Sequence, residues 1–142
     1  MEKIIYIYTD GASRGNPGPG AIAFIITNEN GDVLKESAKY IGNTTNNIAE
    51  YKALIFALNE AKGLGEKVVC FSDSKLMISQ LKSEYKVKKS HIKELFNEVK
   101  SLEKNFKLVE YVNVRRENEM TKKVDKKVNE VLDAIEKQTK RR

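Results

Sequence analysis

Tryptophan is absent from this sequence of 142 residues, and histidine and cysteine each occur once. The single cysteine, Cys70, cannot form a disulfide within the chain, and its place in an apolar run predicts a buried thiol in a reducing cytoplasm. One histidine and one cysteine cannot form the cluster of such ligands that is usual in a zinc site. No apolar run approaches the roughly 20 residues of a membrane span, and the amino-terminal segment does not form a signal peptide. We therefore expect a cytoplasmic globular protein with no membrane partner.

Basic residues outnumber acidic ones, 26 to 20, and the surplus is unevenly distributed. Residues 75–93 carry a net charge of +5 and residues 115–142 carry +4, so that the remainder carries −3. Two basic stretches on a mildly acidic body favour a polyanionic partner, with nucleic acid as the first candidate. The alternative that charge alone leaves open is a set of solvated lysine- and glutamate-rich helices in a heat-adapted protein.

The pattern of apolar residues predicts one domain over residues 1–138, followed by a basic tail over residues 139–142. Three strands come first and form an antiparallel meander, whose second turn has Asn30 and Gly31 at its tip. Helices and strands then alternate. The predicted ranges are strands 3–9, 21–28 and 33–41, a helix ended by Gly63, strand 67–73, helix 74–82, helix 91–104, strand 106–114 and a last helix.

This order predicts an α/β fold in which a five-stranded mixed sheet carries helices on both faces. The meander is followed by elements in the order α-β-α-α-β-α. The last helix shows a single apolar stripe that we expect to face the sheet, formed by Val124, Val128, Val131 and Ile135.

Four acids occupy positions from which they can reach one edge of this sheet. Asp10 ends the predicted first strand and Asp73 the fourth, and parallel neighbours would bring both to the same carboxyl edge. Glu50 lies near the start of the long helix, and Asp125 flanks the stripe of the last helix. Four uncompensated carboxylates are stable together only if some stay protonated or divalent cations bind. Their oxygens suit Mg²⁺ or Mn²⁺.

Each acid also has a simpler structural interpretation. Asp73 would be the N-cap of the following helix, and Glu50 a first-turn acid that complements the helix dipole. Asp10 would be a turn residue and Asp125 a surface charge. Taken singly these interpretations are favoured for every acid except Asp10, whereas taken together the four acids favour a metal site.

The chain resembles type 1 ribonuclease H over residues 3–132. Four blocks carry the resemblance in the family's order: TDGASRGNPGPG, TNNIAEYKALIFAL, SDSK and KKVDKKVNEVL. They look like the family's first-strand and first-helix signatures and the blocks that hold its third and fourth acids. The connector SEYKVKKSHI resembles the short form of archaeal and some bacterial members, which lack the extra basic helix and loop of longer relatives.

The resemblance implies that residues 1–138 are a ribonuclease H-like catalytic domain with a metal-binding tetrad of Asp10, Glu50, Asp73 and Asp125. It implies hydrolysis of the RNA strand of an RNA–DNA hybrid, without sequence specificity, to give 5′-phosphate and 3′-hydroxyl ends. Two Mg²⁺ or Mn²⁺ ions would assist this reaction, with Asp10 as the bridging ligand because it lies on the central strand. We expect the protein to be a monomer.

We predict that the substrate is bound around the glycine-rich loop, the start of the long helix and the basic connector. Glycines would permit close approach of the nucleic acid, asparagines would bond 2′-hydroxyls, and lysines would contact phosphates. Asparagine and threonine residues at the start of the helix are candidate caps, and Asn46 or Asn47 would serve as one in addition to binding substrate. The loop would also be a tight turn. The predicted substrate-binding residues are Gly11, Ser13, Arg14, Asn16, Thr45, Asn46, Asn47, Lys75, Lys86, Lys88 and Lys89.

Three positions depart from the family's pattern. The loop before the last helix, VNVRRENEMTKK, lacks the histidine found in many relatives, and His91 opens a different helix as a surface residue. Lys75 stands where a glutamine is usual. Thr121 replaces an asparagine and is the expected N-cap of the last helix. A register in which Glu117 or Glu119 joins the site stays open.

These departures leave two other functions open. One is a catalytically weakened module that binds hybrids or double-stranded RNA, and the other is a related nuclease that acts on double-stranded RNA, because a fold alone does not determine function.

Overall fold

The computed structural model describes residues 2–140, and its elements follow the predicted order. The strands and helices are β1 (Ile4–Ser13), β2 (Gly18–Asn28), β3 (Val33–Thr44), α1 (Asn46–Glu60), β4 (Lys67–Ser72), α2 (Lys75–Leu81), α3 (Ser90–Glu103), β5 (Leu108–Asn113) and α4 (Glu119–Lys140).

The strands form one five-stranded sheet in the order β3-β2-β1-β4-β5, with β1 at its centre. β1, β2 and β3 are antiparallel neighbours, whereas β4 runs parallel to β1 and β5 parallel to β4. The turn between β2 and β3 contains Gly31 at a φ of 85°, and Asn28 Oδ1 accepts bonds from the backbone N–H groups of Asn30 and Asp32. The predicted meander and mixed sheet are therefore confirmed.

Helices cover both faces of the sheet. On one face α1, α2 and α3 pack against the alternate residues of β1, β2 and β4 that point toward them. On the other face α4 packs against three residues of β2, namely Ala21, Ala23 and Ile25. The buried stripe of α4 consists of Val124, Val128 and Leu132, whereas the predicted Val131 and Ile135 are only half-buried. Leu132 takes the buried position predicted for Val131. It lies four residues after Val128, and buried positions on a helix recur three and four residues apart.

β1 continues past its predicted end at Thr9. Its ladder with β4 ends at Tyr8, but its antiparallel ladder with β2 continues to Ser13. Asp10 therefore lies inside a strand, at the point where β1 leaves β4. The prediction that Asp10 ends the strand is wrong. The glycines after Asp10 are typical of a loop, but β2 supplies backbone hydrogen-bond partners as far as Ser13, and the strand therefore continues.

The last helix begins earlier than its expected cap. Asn118 Oδ1 accepts bonds from the N–H groups of Met120 and Thr121, at 3.0 and 3.2 Å, so Asn118 caps α4 and Thr121 lies buried in its first turn. α4 runs to Lys140, so it contains the first part of the predicted basic tail, and residues 141 and 142 lie outside the described residues. Within residues 2–140, no helix is long and apolar enough to cross a membrane.

Candidate active site

Three carboxylates meet at the edge of the sheet where β1 and β4 separate. One oxygen each from Asp10, Glu50 and Asp73 lies within 4.8 Å of the others. The strand register explains why Asp10 and Asp73 lie close together. Tyr8 is paired with Phe71, and Asp10 and Asp73 each follow two positions after these paired residues. Glu50 reaches the same point from α1, which packs directly on β1 and β2.

Gly11 holds α1 against the central strand. Its backbone N–H donates a hydrogen bond of 2.8 Å to Oε1 of Glu50. A Cβ atom at this position would collide with the carbonyl group of Ala49 on α1. The internal packing of the protein therefore already requires glycine here, and close approach of a nucleic acid to Gly11 stays a prediction.

Burial and mutual repulsion perturb the acids at this edge. Asp10 is 6% exposed and Glu50 is 8% exposed. Loss of hydration is the largest cause that raises the pKa of Asp10, followed by the negative charges of Glu50, Asp73 and Asp125. Burial also raises the pKa of Glu50, and the hydrogen bond from Gly11 opposes that rise.

The residues of this cluster fit a divalent cation. Oδ2 of Asp10 is buried and has no hydrogen-bond partner among residues 2–140. A buried carboxylate oxygen without a partner costs folding free energy, and a bound cation offsets that cost. The ligands gathered here are all carboxylate oxygens, which is the donor set that Mg²⁺ and Mn²⁺ prefer.

Asp125 lines the same cleft from α4 but does not belong to the group of three acids whose oxygens lie within 4.8 Å. Its charge contributes to the raised pKa of Asp10. One helical turn later, Nδ2 of Asn129 donates to Oδ2 of Asp125 at 3.2 Å and to its backbone oxygen at 3.0 Å. The fourth acid therefore lies at the side of the cleft, held by a neighbour on its own helix.

The structure excludes the simpler roles of the other acids. Ser74 caps α2, because its Oγ accepts from the N–H of Met77 at 3.3 Å, so Asp73 is not the cap. α1 has no acid in its first turn, so Glu50 lies too far along the helix to complement its dipole. Asp10 is a strand residue rather than a turn residue.

Eight of the eleven predicted substrate ligands line the cleft of the acids or two neighbouring depressions, and Asn47 borders all three. The central cleft has a volume of about 780 Å³. Gly11 and Asn46 line the cleft, Asn16, Thr45 and Lys89 line a second depression, and Lys86, Lys88 and Lys89 line a third. Lys75, the first residue of α2, is exposed beside Asp73 and Ser74.

Three of these predicted ligands join the end of β1 and the turn after it to the start of α1. Oδ1 of Asn46 accepts from the backbone N–H of Ser13 at 2.8 Å, and the N–H of Asn46 donates to Oδ1 of Asn16 at 3.2 Å. The cap of α1 is Thr45, whose Oγ1 accepts from Ile48 N–H, so the expectation of an asparagine cap is wrong. Threonine takes this role because its backbone is extended immediately before the helix.

Arg14 lies at the turn after β1 and contacts α4 rather than open solvent. Its guanidinium group forms ion pairs with Asp133 and Glu136, at 2.7 and 2.8 Å. Substrate binding by Arg14 stays a prediction, and the contacts with α4 were not apparent from the sequence because the partners lie more than a hundred positions away.

The cleft also contains residues that were missed as candidates. Ser74 and Asn113 line it, and Nδ2 of Asn113 donates to the backbone oxygen of Ser72 at 3.0 Å. The signal for Asn113 was present, because the parallel strand β5 ends at the same edge as β4. Nε of Arg116 lies 3.6 Å from Oδ2 of Asp73, and the Arg116 side chain is 85% exposed. His91 borders the second depression and is exposed, as predicted for a surface residue.

The profile of a family described as reverse transcriptase-like matches residues 8–137. Among solved structures, the N-terminal RNase H domain of Rv2228c from Mycobacterium tuberculosis is 33% identical, with a TM-score of 0.90 over 96% of this chain and 99% of that chain. The chain belongs to the type 1 ribonuclease H family. A second structure of the family, LC11-RNase H1 in complex with RNA/DNA hybrid, is 40% identical, with a TM-score of 0.85 over 92% of this chain and 98% of that chain.

The chain also matches part of a longer protein. The bifunctional protein Rv2228c of Mycobacterium tuberculosis (strain ATCC 25618 / H37Rv) is 36% identical over 132 residues, which are 92% of this chain and 36% of that protein. The chain thus spans about a third of the length of the curated relatives that it matches over most of its residues.

In EDTA we expect the acid cluster to lower the free energy of unfolding of this protein as the pH rises. A pKa raised in the folded state means that the folded protein keeps a proton that the unfolded chain releases. The contribution of these acids to stability is therefore fully present below the ordinary carboxyl pKa of about 4. It is lost as the pH rises toward the raised pKa values of Asp10 and Glu50 in the folded protein. Urea unfolding in EDTA over a pH series measures this slope.

A comparison of two variants isolates the contribution of the cluster. Asp10→Asn should flatten the decline, because it removes the acid whose pKa is raised by burial and by the charges of Glu50, Asp73 and Asp125. Glu94→Gln, which changes an exposed acid of α3, should leave the decline as it is. Equal slopes for Asp10→Asn and the unaltered protein would contradict a raised pKa of Asp10.

Proposed function

We propose that this ribonuclease H hydrolyses the RNA strand of RNA–DNA hybrids without sequence specificity, leaving 5′-phosphate and 3′-hydroxyl ends. The observation that carries the proposal is the group of three acids in an open cleft, with one buried oxygen of Asp10 lacking a hydrogen-bond partner in the described chain. Supporting it, a relative with the same fold binds an RNA/DNA hybrid. A monomeric enzyme of the cytoplasm, with Cys70 buried as a thiol, is part of the proposal.

Asp10, Glu50, Asp73 and Asp125 would hold two Mg²⁺ or Mn²⁺ ions. Divalent ions lower the pKa of a bound water and neutralise negative charge on a phosphate in hydrolysis. Without a cation the four carboxylates would instead repel the phosphate backbone. Asp10 would be the ligand shared by the two ions, because it lies on the central strand of the sheet and the charges of Glu50, Asp73 and Asp125 all act on its carboxylate.

The asparagines beside the acids would distinguish RNA from DNA. Asn46 and Asn47 border the cleft at the start of α1, and Asn16 lies next to them. Amide groups donate and accept hydrogen bonds, and the 2′-hydroxyl that marks an RNA strand does both as well. These residues lie beside the acid cluster, so the strand that they select is the strand presented for cleavage.

Cleavage assays with three labelled substrates test the proposal. RNA–DNA hybrid, single-stranded RNA and double-stranded RNA are each incubated with Mg²⁺, Mn²⁺ or EDTA. We expect cleavage of the hybrid that EDTA abolishes, with 5′-phosphate ends on the fragments. Cleavage of double-stranded RNA alone, or salt-sensitive binding with no product under either metal, would overturn it. Binding without product would identify a module that binds nucleic acid and does not cleave it. The contact of Arg116 with Asp73 is the observation that supports this second function.

The lysines of the connector between α2 and α3 should determine much of the salt dependence of hybrid binding. Lys86, Lys88 and Lys89 are exposed, and each phosphate contact contributes about 0.9 to the slope of log affinity against log salt concentration. Replacing all three with glutamine should make the slope shallower by about 2 to 3 units. Fluorescence anisotropy of a labelled hybrid in EDTA measures it.

The matched control replaces Lys104 and Lys107 with glutamine. These lysines border a depression lined also by Lys3 and residues 63–66, at the opposite end of the sheet. Their removal should leave the slope unchanged. If the connector variant also keeps the original slope, the predicted phosphate contacts are wrong.

A further inference from the structure

Arg14 forms a set of contacts that the proposed function does not use. Nη2 of Arg14 lies 3.1 Å from Oδ1 of Asn129 and 2.7 Å from Asp133, and Nη1 lies 2.8 Å from Glu136. One guanidinium group thus joins the turn after β1 to three residues spaced along α4. Its planar set of five donors suits it to bind several acceptors at once.

The contact with Asn129 continues to the fourth acid of the cleft. Nδ2 of Asn129 donates to Oδ2 of Asp125 at 3.2 Å, while its Oδ1 accepts from Arg14. The reverse orientation of the amide would place its N–H groups against a guanidinium and its oxygen against a carboxylate. Arg14 and Asp125 therefore select the same orientation of the Asn129 side chain, and that orientation holds one oxygen of Asp125.

Asp125 needs such support more than Asp10 and Glu50 do. Asp10 lies on the central strand, and Glu50 accepts the N–H of Gly11, whereas Asp125 stands half-buried on a helix and outside the group of three acids. Groups that hydrogen-bond a metal ligand orient it, and their loss costs about 10- to 100-fold in metal affinity or activity.

We propose that Arg14 and Asn129 are positioning residues that hold Asp125 in the orientation needed at the cleft. The inference rests on the proposed function in one respect, namely that Asp125 contributes to ion binding. Arg14 acts from the loop through Asn129, so the turn after β1 and the helix that carries the fourth acid are linked by hydrogen bonds. Its charge is already balanced by two carboxylates of α4.

The variants Arg14→Gln and Asn129→Ala test this role without depending on hybrid cleavage. Calorimetric titration with Mn²⁺ alone, in the absence of nucleic acid, should show about tenfold weaker binding in each variant. The double variant should lose little more than either single variant, because both break one chain of contacts. Alanine is a strong helix former, so Asn129→Ala keeps α4, and thermal unfolding in EDTA verifies this.

Glu136→Gln is the matched control. It removes one ion-pair partner of Arg14 but leaves the contacts of Asn129 with Arg14 and Asp125. We expect Mn²⁺ affinity to stay within about twofold of the unaltered protein, since exposed ion pairs contribute little. If Glu136→Gln weakens ion binding as much as Arg14→Gln, then Arg14 only attaches the loop to α4 and the inference fails.

Steady-state kinetics on hybrid separate positioning from substrate contact. We expect both variants to need about tenfold more Mg²⁺ for half-maximal rate while KM for the hybrid stays unchanged. A raised KM with unchanged Mn²⁺ affinity in Arg14→Gln would assign Arg14 to substrate binding and overturn the inference. If the unaltered protein cleaves no hybrid yet the Mn²⁺ affinities change as expected, the proposed function fails and the positioning role stands.

Discussion

Asp10→Asn should lower the rate of hybrid cleavage by at least about a thousandfold while hybrid affinity in EDTA changes by less than about threefold. The carboxylate of Asp10 is buried, and its Oδ2, which has no hydrogen-bond partner among the described residues, is the atom best suited to a cation. Asparagine has nearly the same size but carries no charge, so the fold and the groove are retained while the attraction for a cation is lost.

The measurement is single-turnover cleavage of a labelled hybrid, paired with anisotropy binding in EDTA. Asp133→Asn is the matched control, because it makes the same chemical change at an exposed position of α4, where the side chain is 60% accessible. It should cleave at close to the original rate. Cleavage by Asp10→Asn within tenfold of the unaltered protein would show that the acid cluster is not the catalytic centre.

Gly11→Ala should lower the free energy of unfolding by about 3 kcal/mol and abolish cleavage as well. The added methyl group meets the backbone of Ala49, which cannot rotate away as a flexible side chain can. α1 must therefore move away from β1, and this movement separates Glu50 from the N–H that orients it. Stability and activity change together because one close approach of helix and strand positions the second acid.

Urea unfolding and Mn²⁺ titration of Gly11→Ala measure the two effects. Gly31→Ala is the control, because the space around Gly31 is open and only its positive φ of 85° opposes a side chain. That variant should lose about 1 kcal/mol and keep its affinity for Mn²⁺. A Gly11→Ala protein as stable as Gly31→Ala would contradict the steric role assigned to Gly11.

Order and periodicity were sufficient to predict the elements of this protein. The apolar runs, the Asn30–Gly31 turn and the stripe of the last helix are local signals, and the structure confirms the nine elements and the mixed sheet. The bounds were less accurate where a partner strand decides them, as in β1, which extends past Asp10 because β2 continues beside it. Helix caps were also predicted less well, because Thr45 and not Asn46 or Asn47 caps α1, and Asn118 and not Thr121 caps α4.

The sequence by itself determined the four candidate acids, and the prediction that parallel neighbouring strands bring Asp10 and Asp73 to one edge of the sheet needed only the order of the elements. Only the tertiary structure decided how two of the acids are held: Glu50 by Gly11, and Asp125 through Asn129 and Arg14. The contacts of Gly11 with Glu50 and of Arg14 with Asn129 join residues far apart in the chain, and no periodicity or local propensity encodes them. They depend on how closely α1 and α4 pack against opposite faces of the sheet.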